Sequence, residues 1–362
     1  MLVSSSTLLA LAASSASFHV VSAHNNQRPK TTEQFRVYQD LQQAAWACAP
    51  EAEAYQAQRK RAFAQHVMGG VPDGSSLTAS DLFLDEYEQG TGQKFMECAD
   101  AQETKIRNNT CVLTPEVTSG PYYERFEHPV RQNIAEYEPG LLTIYNIGVL
   151  DVETCQPVPD VLVDIWQANA TGHYSGHPEA AAHLVNEQPA STGKRKGLLT
   201  AFPKTKFDET FGRGAWPTNK NGVSTFTSIF PGYYTGRATH VHVKVHPEWT
   251  LLQNGSYSGG RLVHTGQFFF EDDLNMAVDK LWPYNTNPIA NLPNRGRTRN
   301  WDDSLNIFWD AHLDGYHSTF ETYLLGGVLQ QGIVAYITMT LNMSASFEDA
   351  WLNTGLEPET KK

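Results

Sequence analysis

Residues 239–245 read Thr239-His240-Val241-His242-Val243-Lys244-Val245, a strict alternation of polar and β-branched side chains. Side chains of an extended chain point to opposite faces in turn. The pattern therefore predicts a strand with Val241, Val243 and Val245 in a core and His240 and His242 together on the other face. Leu141–Val149 and Val161–Trp166 share the same β-rich texture, and between them Asp151-Val152-Glu153-Thr154-Cys155-Gln156-Pro157 has turn chemistry. Asn221-Gly222, lying between Trp216-Pro217 and Val223-Ser224-Thr225-Phe226, carries a hairpin signature. Short strands punctuated in this way after Cys111 predict an antiparallel β-sandwich.

The stretch before the sandwich follows a different period. Phe35, Tyr38, Leu41, Ala45 and Cys48 recur every three or four residues, and Pro50 with Glu51 and Glu53 restarts a helix that runs to Gly69-Gly70. A third short helix is expected from Ser80. Arg59-Lys60-Arg61 reads as a solvated helix face. The chain is thus expected to be mainly β: an N-terminal α-helical segment over 24–110, a sandwich domain over 111–345 and a tail over 346–362. Two irregular stretches, 180–210 and 285–305, carry Lys194-Arg195-Lys196 and Arg295, Arg297 and Arg299, and read as surface loops or partner contacts.

Composition narrows the class. The chain has 362 residues, 40% of them hydrophobic, which is ample for a core. A formal net charge of −12 counts against a phosphate-backbone or anionic-lipid partner, so no nucleic acid is expected. No apolar run reaches the length of about eighteen residues that a membrane span needs. Residues 1–23 contain no Asp, Glu, Lys or Arg, carry the short apolar run Leu8-Leu9-Ala10-Leu11-Ala12-Ala13 and end on Val21-Ser22-Ala23, the pattern of a secretory signal peptide. A secreted, extracellular protein is expected. Glycosylation sequons at Asn108, Asn169, Asn254 and Asn342 agree with export. Cys48, Cys98, Cys111 and Cys155 form an even set, which an oxidising compartment would pair. Three connectivities are open. The expectation is Cys48 with Cys98, stapling the helical segment, and Cys111 with Cys155, tying the start of the sandwich to one of its turns. The apolar stripe of the helices is a candidate homodimer surface.

Two imidazoles on one strand face suit a transition-metal ion. Tyrosines accompany them: Tyr234 stands six residues before His240, and Tyr174 lies just past the strand-like run that ends at Trp166. The His-x-His segment contains no Asp or Glu, so phenolates become the anionic ligands. A free phenol has a pKa of about 10, and a trivalent cation favours its ionised form. Two phenolates and one hydroxide would neutralise Fe(III).

From about Val112 to Ser344 the sequence resembles the intradiol ring-cleavage dioxygenases, particularly their secreted fungal type. The resemblance rests on Leu113-Thr114-Pro115-Glu116 with Gly120-Pro121-Tyr122-Tyr123, and on Val163-Asp164-Ile165-Trp166-Gln167-Ala168-Asn169 with Gly172-His173-Tyr174-Ser175-Gly176. It rests further on Pro231-Gly232-Tyr233-Tyr234-Thr235-Gly236-Arg237-Ala238-Thr239-His240-Val241-His242, and on His264-Thr265-Gly266-Gln267. What the resemblance implies is one Fe(3+) per chain held by Tyr174, Tyr234, His240 and His242. Tyr234 is taken over Tyr233 because it stands three residues after Pro231. By the same resemblance Arg237 is the active-site arginine, a fixed cation where negative charge builds on the substrate. Gln267 matches a polar residue near the substrate, and Pro121 and Tyr122 match a segment lining the pocket. The implied partners are a small-molecule catechol and O2, cleaved between the hydroxyl-bearing carbons to a muconate-type diacid. Ala168 stands where the secreted relatives often carry Cys, and Tyr233 where His is common. The competing readings are a non-catalytic secreted sandwich that binds carbohydrate or protein, and a copper oxidase using the same His-x-His pair.

Overall fold

The computed structural model describes residues 31–67 and 117–346, apart from 118, 121, 126, 178–205, 235, 291–295 and 314. The expected leader, Asn108, Cys98, Cys111, Pro121, the helix anticipated from Ser80, Lys194-Arg195-Lys196, Arg295 and residues 347–362 lie outside these. In chain order the helices are α1 (Thr32–Ala47) and α2 (Ala49–Val67), then α3 (Asp272–Val278) and α4 (Ile307–Leu313) late in the chain. The strands are β1 (Leu142–Asp151), β2 (Leu162–Trp166), β3 (Arg213–Pro217), β4 (Val223–Ile229), β5 (His240–His246), β6 (Trp249–Leu251), β7 (Tyr257–Gly259), β8 (His264–Phe269), β9 (Glu321–Leu324) and β10 (Ile333–Leu341).

Two four-stranded sheets, ordered β4-β1-β10-β9 and β3-β2-β5-β8, face each other, with β6 and β7 as a small separate ribbon. Strand neighbours are antiparallel except β1 and β10, which run parallel. Alternate residues build the core. Tyr145, Ile147 and Val149 of β1 and Ile333, Ala335, Ile337 and Met339 of β10 share one buried cluster with Val163 and Ile165 of β2 and Val241, Val243 and Val245 of β5. The expected mainly-β sandwich and the expected alternation along 239–245 are both present.

The Asn221-Gly222 turn departs from expectation. Asn219 Oδ1 accepts the N–H of Asn221 at 2.9 Å and of Val223 at 3.1 Å, and Gly222 sits at φ +72°, so the reversal itself is tight. Yet β3 and β4 belong to different sheets, and the turn carries the chain across the edge of the sandwich. Turn chemistry dictates a local reversal; it does not dictate which strands then pair.

The basic run on α2 also departs from expectation. The helix lies on the outer face of the β1–β10 pair, where Gly148 leaves a gap: a Cβ there would stand 2.6 Å from the Tyr55 ring and 2.8 Å from the Arg59 guanidinium. Arg59 is buried in that gap rather than solvated. Its Nη1 donates to the Asn146 carbonyl at 2.9 Å, and its Nη2 donates to the Ile337 carbonyl at 3.0 Å and to Thr338 Oγ1 at 2.7 Å. Burial lowers its pKa to about 10. Lys60 reaches Glu321 of β9 at 2.6 Å, leaving only Arg61 exposed.

The disulfide expectation is corrected as well. Cys48 bonds to Cys155, excluding both Cys48 with Cys98 and Cys111 with Cys155. The reason is packing: Ala52 and Tyr55 of α2 rest on Leu150, which sets the α1–α2 junction over the turn after β1. Helix and sandwich are thus pinned by one covalent bond and one buried guanidinium.

Candidate metal centre

The site grows on the outer face of the β3-β2-β5-β8 sheet, opposite the core. Register places Arg213, Trp166, His242 and Gln267 in one row across four strands. His240 lies one pleat along, beside Phe269. Every residue of β5 is buried, because loops cover this face. Trp166 stacks flat on the His242 ring, centroids 4.6 Å apart and planes 6° apart. Gly120, at φ +78°, brings its backbone against the same ring; a Cβ there would stand 3.3 Å from His242 Cε1.

Two loops deliver the phenols. The first runs from Trp166 to Tyr174 and is folded by Asn169, whose Oδ1 accepts the N–H of Thr171 at 3.1 Å and of His173 at 3.0 Å. Asn169 Nδ2 donates to Glu138 at 2.9 Å, so this sequon's amide is engaged inside the fold, where a glycan would displace it. The second loop, around Gly232, abuts the first: the Gly232 N–H donates to the Asn169 carbonyl at 2.9 Å. Only glycine allows this approach. A Cβ on Gly172 would lie 2.2 Å from the Tyr233 carbonyl oxygen, and one on Gly232 would lie 2.4 Å from that of Ala170.

Four donor atoms meet as a result. His240 Nε2 lies 3.1 Å from His242 Nε2, and 3.4 Å from each of the Tyr174 and Tyr234 hydroxyls. The His240 Nδ1–H donates to the Ala238 carbonyl at 2.7 Å, which leaves Nε2 as a bare lone pair facing the cluster. Burial, and then the charge of Arg237, hold His240 well below its ordinary pKa; burial and then His240 do the same to His242. Burial pushes both phenols up, Tyr174 furthest, with Arg237 pulling the other way. Without a cation the cluster is four neutral groups. With one between them, the same phenols become its natural anions.

Around the donors, Tyr122 stacks on Tyr174 at 4.6 Å and meets Tyr234 edge-on at 6.2 Å, and Ile289 completes the apolar wall. Tyr234, not Tyr233, faces the cluster; Tyr233 lies under the Arg297 guanidinium at 4.2 Å. Arg297, expected on a surface loop, instead pairs with Asp279 and donates to Thr239 Oγ1 at 2.6 Å. Arg237 is buried. Its Nη1 donates to Tyr234 Oη at 3.2 Å, its Nη2 to Gln267 Oε1 at 2.5 Å and its Nε to Asp303 Oδ2 at 3.0 Å. Two contributors were missed by sequence reasoning. Asp303 falls in a stretch with no periodicity to mark it. Arg213 donates to the Tyr122 carbonyl at 2.6 Å and to the Ser175 carbonyl at 2.9 Å, tying together the segments that bear Tyr122 and Tyr174, and nothing in its local sequence signals that.

No family model matches the chain. Over 142 residues it is 30% identical to the protocatechuate 3,4-dioxygenase beta chain of Burkholderia cepacia, a match covering 37% of this chain and 46% of that relative, so it spans about half the relative's length. An intradiol ring-cleavage dioxygenase from Tetranychus urticae superposes with a TM-score of 0.50 at 26% identity, covering 67% of this chain and all of that one. The chain resembles the intradiol ring-cleavage dioxygenases. The ion generally used by intradiol dioxygenases is Fe(3+), and the donor spacing can be tested against it. A first-row ion with bonds of about 2.0–2.1 Å holds neighbouring ligand atoms roughly 3.0–3.4 Å apart, and His240 Nε2 stands 3.1–3.4 Å from each of the other three donors. Two ionisable hard oxygens beside two neutral imidazoles suit a trivalent ion. An intradiol-type site fits these residues.

Proposed function

We propose that this chain is a secreted intradiol dioxygenase that binds one Fe(3+) through Tyr174, Tyr234, His240 and His242 and cleaves catechol-type rings. The observation that carries the reading is the convergence of two phenols and two imidazoles, drawn from separate stretches, on one point. When bound, the ferric ion would accept the two catechol oxygens and draw electron density from the ring so that O2 adds to it. The net change is balanced. One catechol and one O2 give one diacid, the carbon–carbon bond between the two hydroxyl-bearing carbons breaks, both atoms of O2 stay in the product and no external reductant is consumed.

The chain's own residues supply the remainder. Tyr122, Trp166 and Ile289 are buried with the two phenols in one apolar cluster, which keeps water from the donors. Tyr234 Oη is placed to take up a substrate hydroxyl proton, with the Arg237 Nη1–H already 3.2 Å away to hold that oxygen in place. Gln267 Nε2, buried and without a hydrogen-bond partner, is a donor available to a substrate oxygen that gains negative charge. Secretion is supported by the apolar leader and by the disulfide between Cys48 and Cys155.

The test is iron analysis, visible spectroscopy and oxygen uptake with a panel of catechols. One iron per chain, a burgundy colour from tyrosinate-to-iron charge transfer and ring cleavage are expected, all lost in Tyr234→Phe and in His242→Ala. Unchanged turnover in either variant overturns the ligand assignment, copper in place of iron favours an oxidase, and a colourless, inert protein favours a binding module.

A further inference from the structure

A buried guanidinium has five N–H donors and can satisfy them in several rotamers, so nothing in an arginine alone decides which nitrogen faces a neighbouring tyrosine. At Arg237 that choice is made by an outside group. Asp303 accepts Nε–H on both carboxylate oxygens, at 3.1 and 3.0 Å. Asp303 is itself immobilised: Oδ2 accepts the Ala238 N–H at 2.8 Å and Oδ1 accepts the Leu305 N–H at 3.0 Å. Its segment is stitched to the same turn by the Ser304 N–H, which donates to the Gly236 carbonyl at 2.9 Å. With the Nε edge pinned, Nη1 is left facing Tyr234 Oη at 3.2 Å and Nη2 facing Gln267 Oε1 at 2.5 Å. Both ends of the pair are buried, Arg237 at 3% and Asp303 at 1% exposure, so neither can swing into water.

We propose that Asp303 is a positioning residue: by pinning Arg237 through Nε it keeps Nη1–H on the oxygen of Tyr234 and so sets how strongly that phenolate binds the ion and how readily it lets go. This rests on the ferric reading given above. Asp303 bonds to none of the four donors; it reaches Tyr234 through the Arg237 guanidinium, while its bond to the Ala238 N–H holds the backbone whose carbonyl accepts from His240, and removing the Arg237 guanidinium separates the two routes.

The test is a double-mutant cycle on the full chain loaded with ferric iron, comprising Asp303→Asn, Arg237→Met and the double variant. Asp303→Asn is expected to lower kcat/KM for catechol by about 10- to 100-fold, the usual loss when an outer partner of a metal site is removed. It should also move the charge-transfer band to longer wavelength, because a phenolate that loses an N–H donor is more easily oxidised. In the Arg237→Met background the Asp303→Asn change should do nothing more. A band that stays in place or moves to shorter wavelength, or losses that multiply independently in the double variant, overturn the proposal. Should Asp303→Asn fail to fold, Asp303→Glu keeps the charge but displaces it by one methylene. A smaller shift of the same sign, abolished by Arg237→Met, is then expected, and an effect that persists without Arg237 overturns the role. A colourless, inert wild-type protein removes the ferric reading and this inference with it, whereas a coloured, active wild type with insensitive variants removes only the role of Asp303.

Discussion

Gly172 offers the sharpest test of how the two phenol-bearing loops are held together. Replacing it by alanine has two separable costs. Its φ of +84° is a left-handed conformation that costs an L-residue about 1–2 kcal/mol. Its Cβ would also fall 2.2 Å from the Tyr233 carbonyl oxygen, an overlap with rigid backbone. Overpacking of that kind typically costs about 1–3 kcal/mol, giving roughly 2–5 kcal/mol in all. Two controls isolate the parts. Gly255 has φ +83° and nothing within 4 Å of its Cβ, so Gly255→Ala carries the conformational cost alone, about 1–2 kcal/mol. Gly232 has no positive φ but a Cβ 2.4 Å from the Ala170 carbonyl oxygen, so Gly232→Ala carries the contact cost alone, about 1–3 kcal/mol. Urea unfolding of the three variants measures these costs, and iron content with the charge-transfer absorption measures the consequence. Gly172→Ala and Gly232→Ala push the 169–173 turn away from the 231–234 stretch and should lose iron; Gly255→Ala should keep it. The reasoning is refuted if Gly172→Ala costs no more than Gly255→Ala and still binds iron.

Removing the Cys48–Cys155 bond by Cys155→Ala opens a loop with a sequence separation of 107 and should cost about 2–5 kcal/mol of thermal stability. The iron chromophore should survive, since α2 packs on the β1–β10 pair and not on the sheet that bears the site; a simultaneous loss of colour in folded protein would contradict that layout. Acid should loosen α2 from β9: burial raises the Glu321 pKa, but bonds from Lys60 and Tyr323 outweigh it and leave the carboxyl below its ordinary value. A group depressed in the folded state contributes stability above its unfolded pKa, about 4.3 for Glu, and loses it as pH falls through the folded value. Limited proteolysis of α2 between neutral pH and about pH 3 should therefore accelerate, with a flatter profile in Glu321→Gln; identical profiles would remove Glu321 from the account.

Features decided within a few residues were legible in the sequence. The alternation of His240, Val241, His242 and Val243 needs only the pleat of one strand to send imidazoles and valines to opposite faces, and it did so. The break between α1 and α2 likewise follows from Pro50 and the acidic residues after it. Features that depend on which surfaces meet were not. Tyr174 and His240 are 66 residues apart, and their meeting depends on β2 lying beside β5 in the register that sets Trp166 against His242; only resemblance to a family brought those two stretches together in advance. Arg237 and Asp303 are also 66 residues apart, with no pattern linking them. Arg59 departs from the rule that a charge on a helix faces water, and what reverses the rule is a missing side chain on another element, Gly148. The same holds for Gly172 and Gly232, whose bare backbones let two loops close around four donors. Three of these long-range contacts are therefore complementary pairs in which a glycine on one element leaves room for a group on another: a guanidinium at Gly148 and a backbone carbonyl at Gly172 and at Gly232. Each half reads as ordinary until the partner is known. Single-site substitutions at the glycines should consequently perturb docking and metal binding more than their exposure or chemistry would suggest.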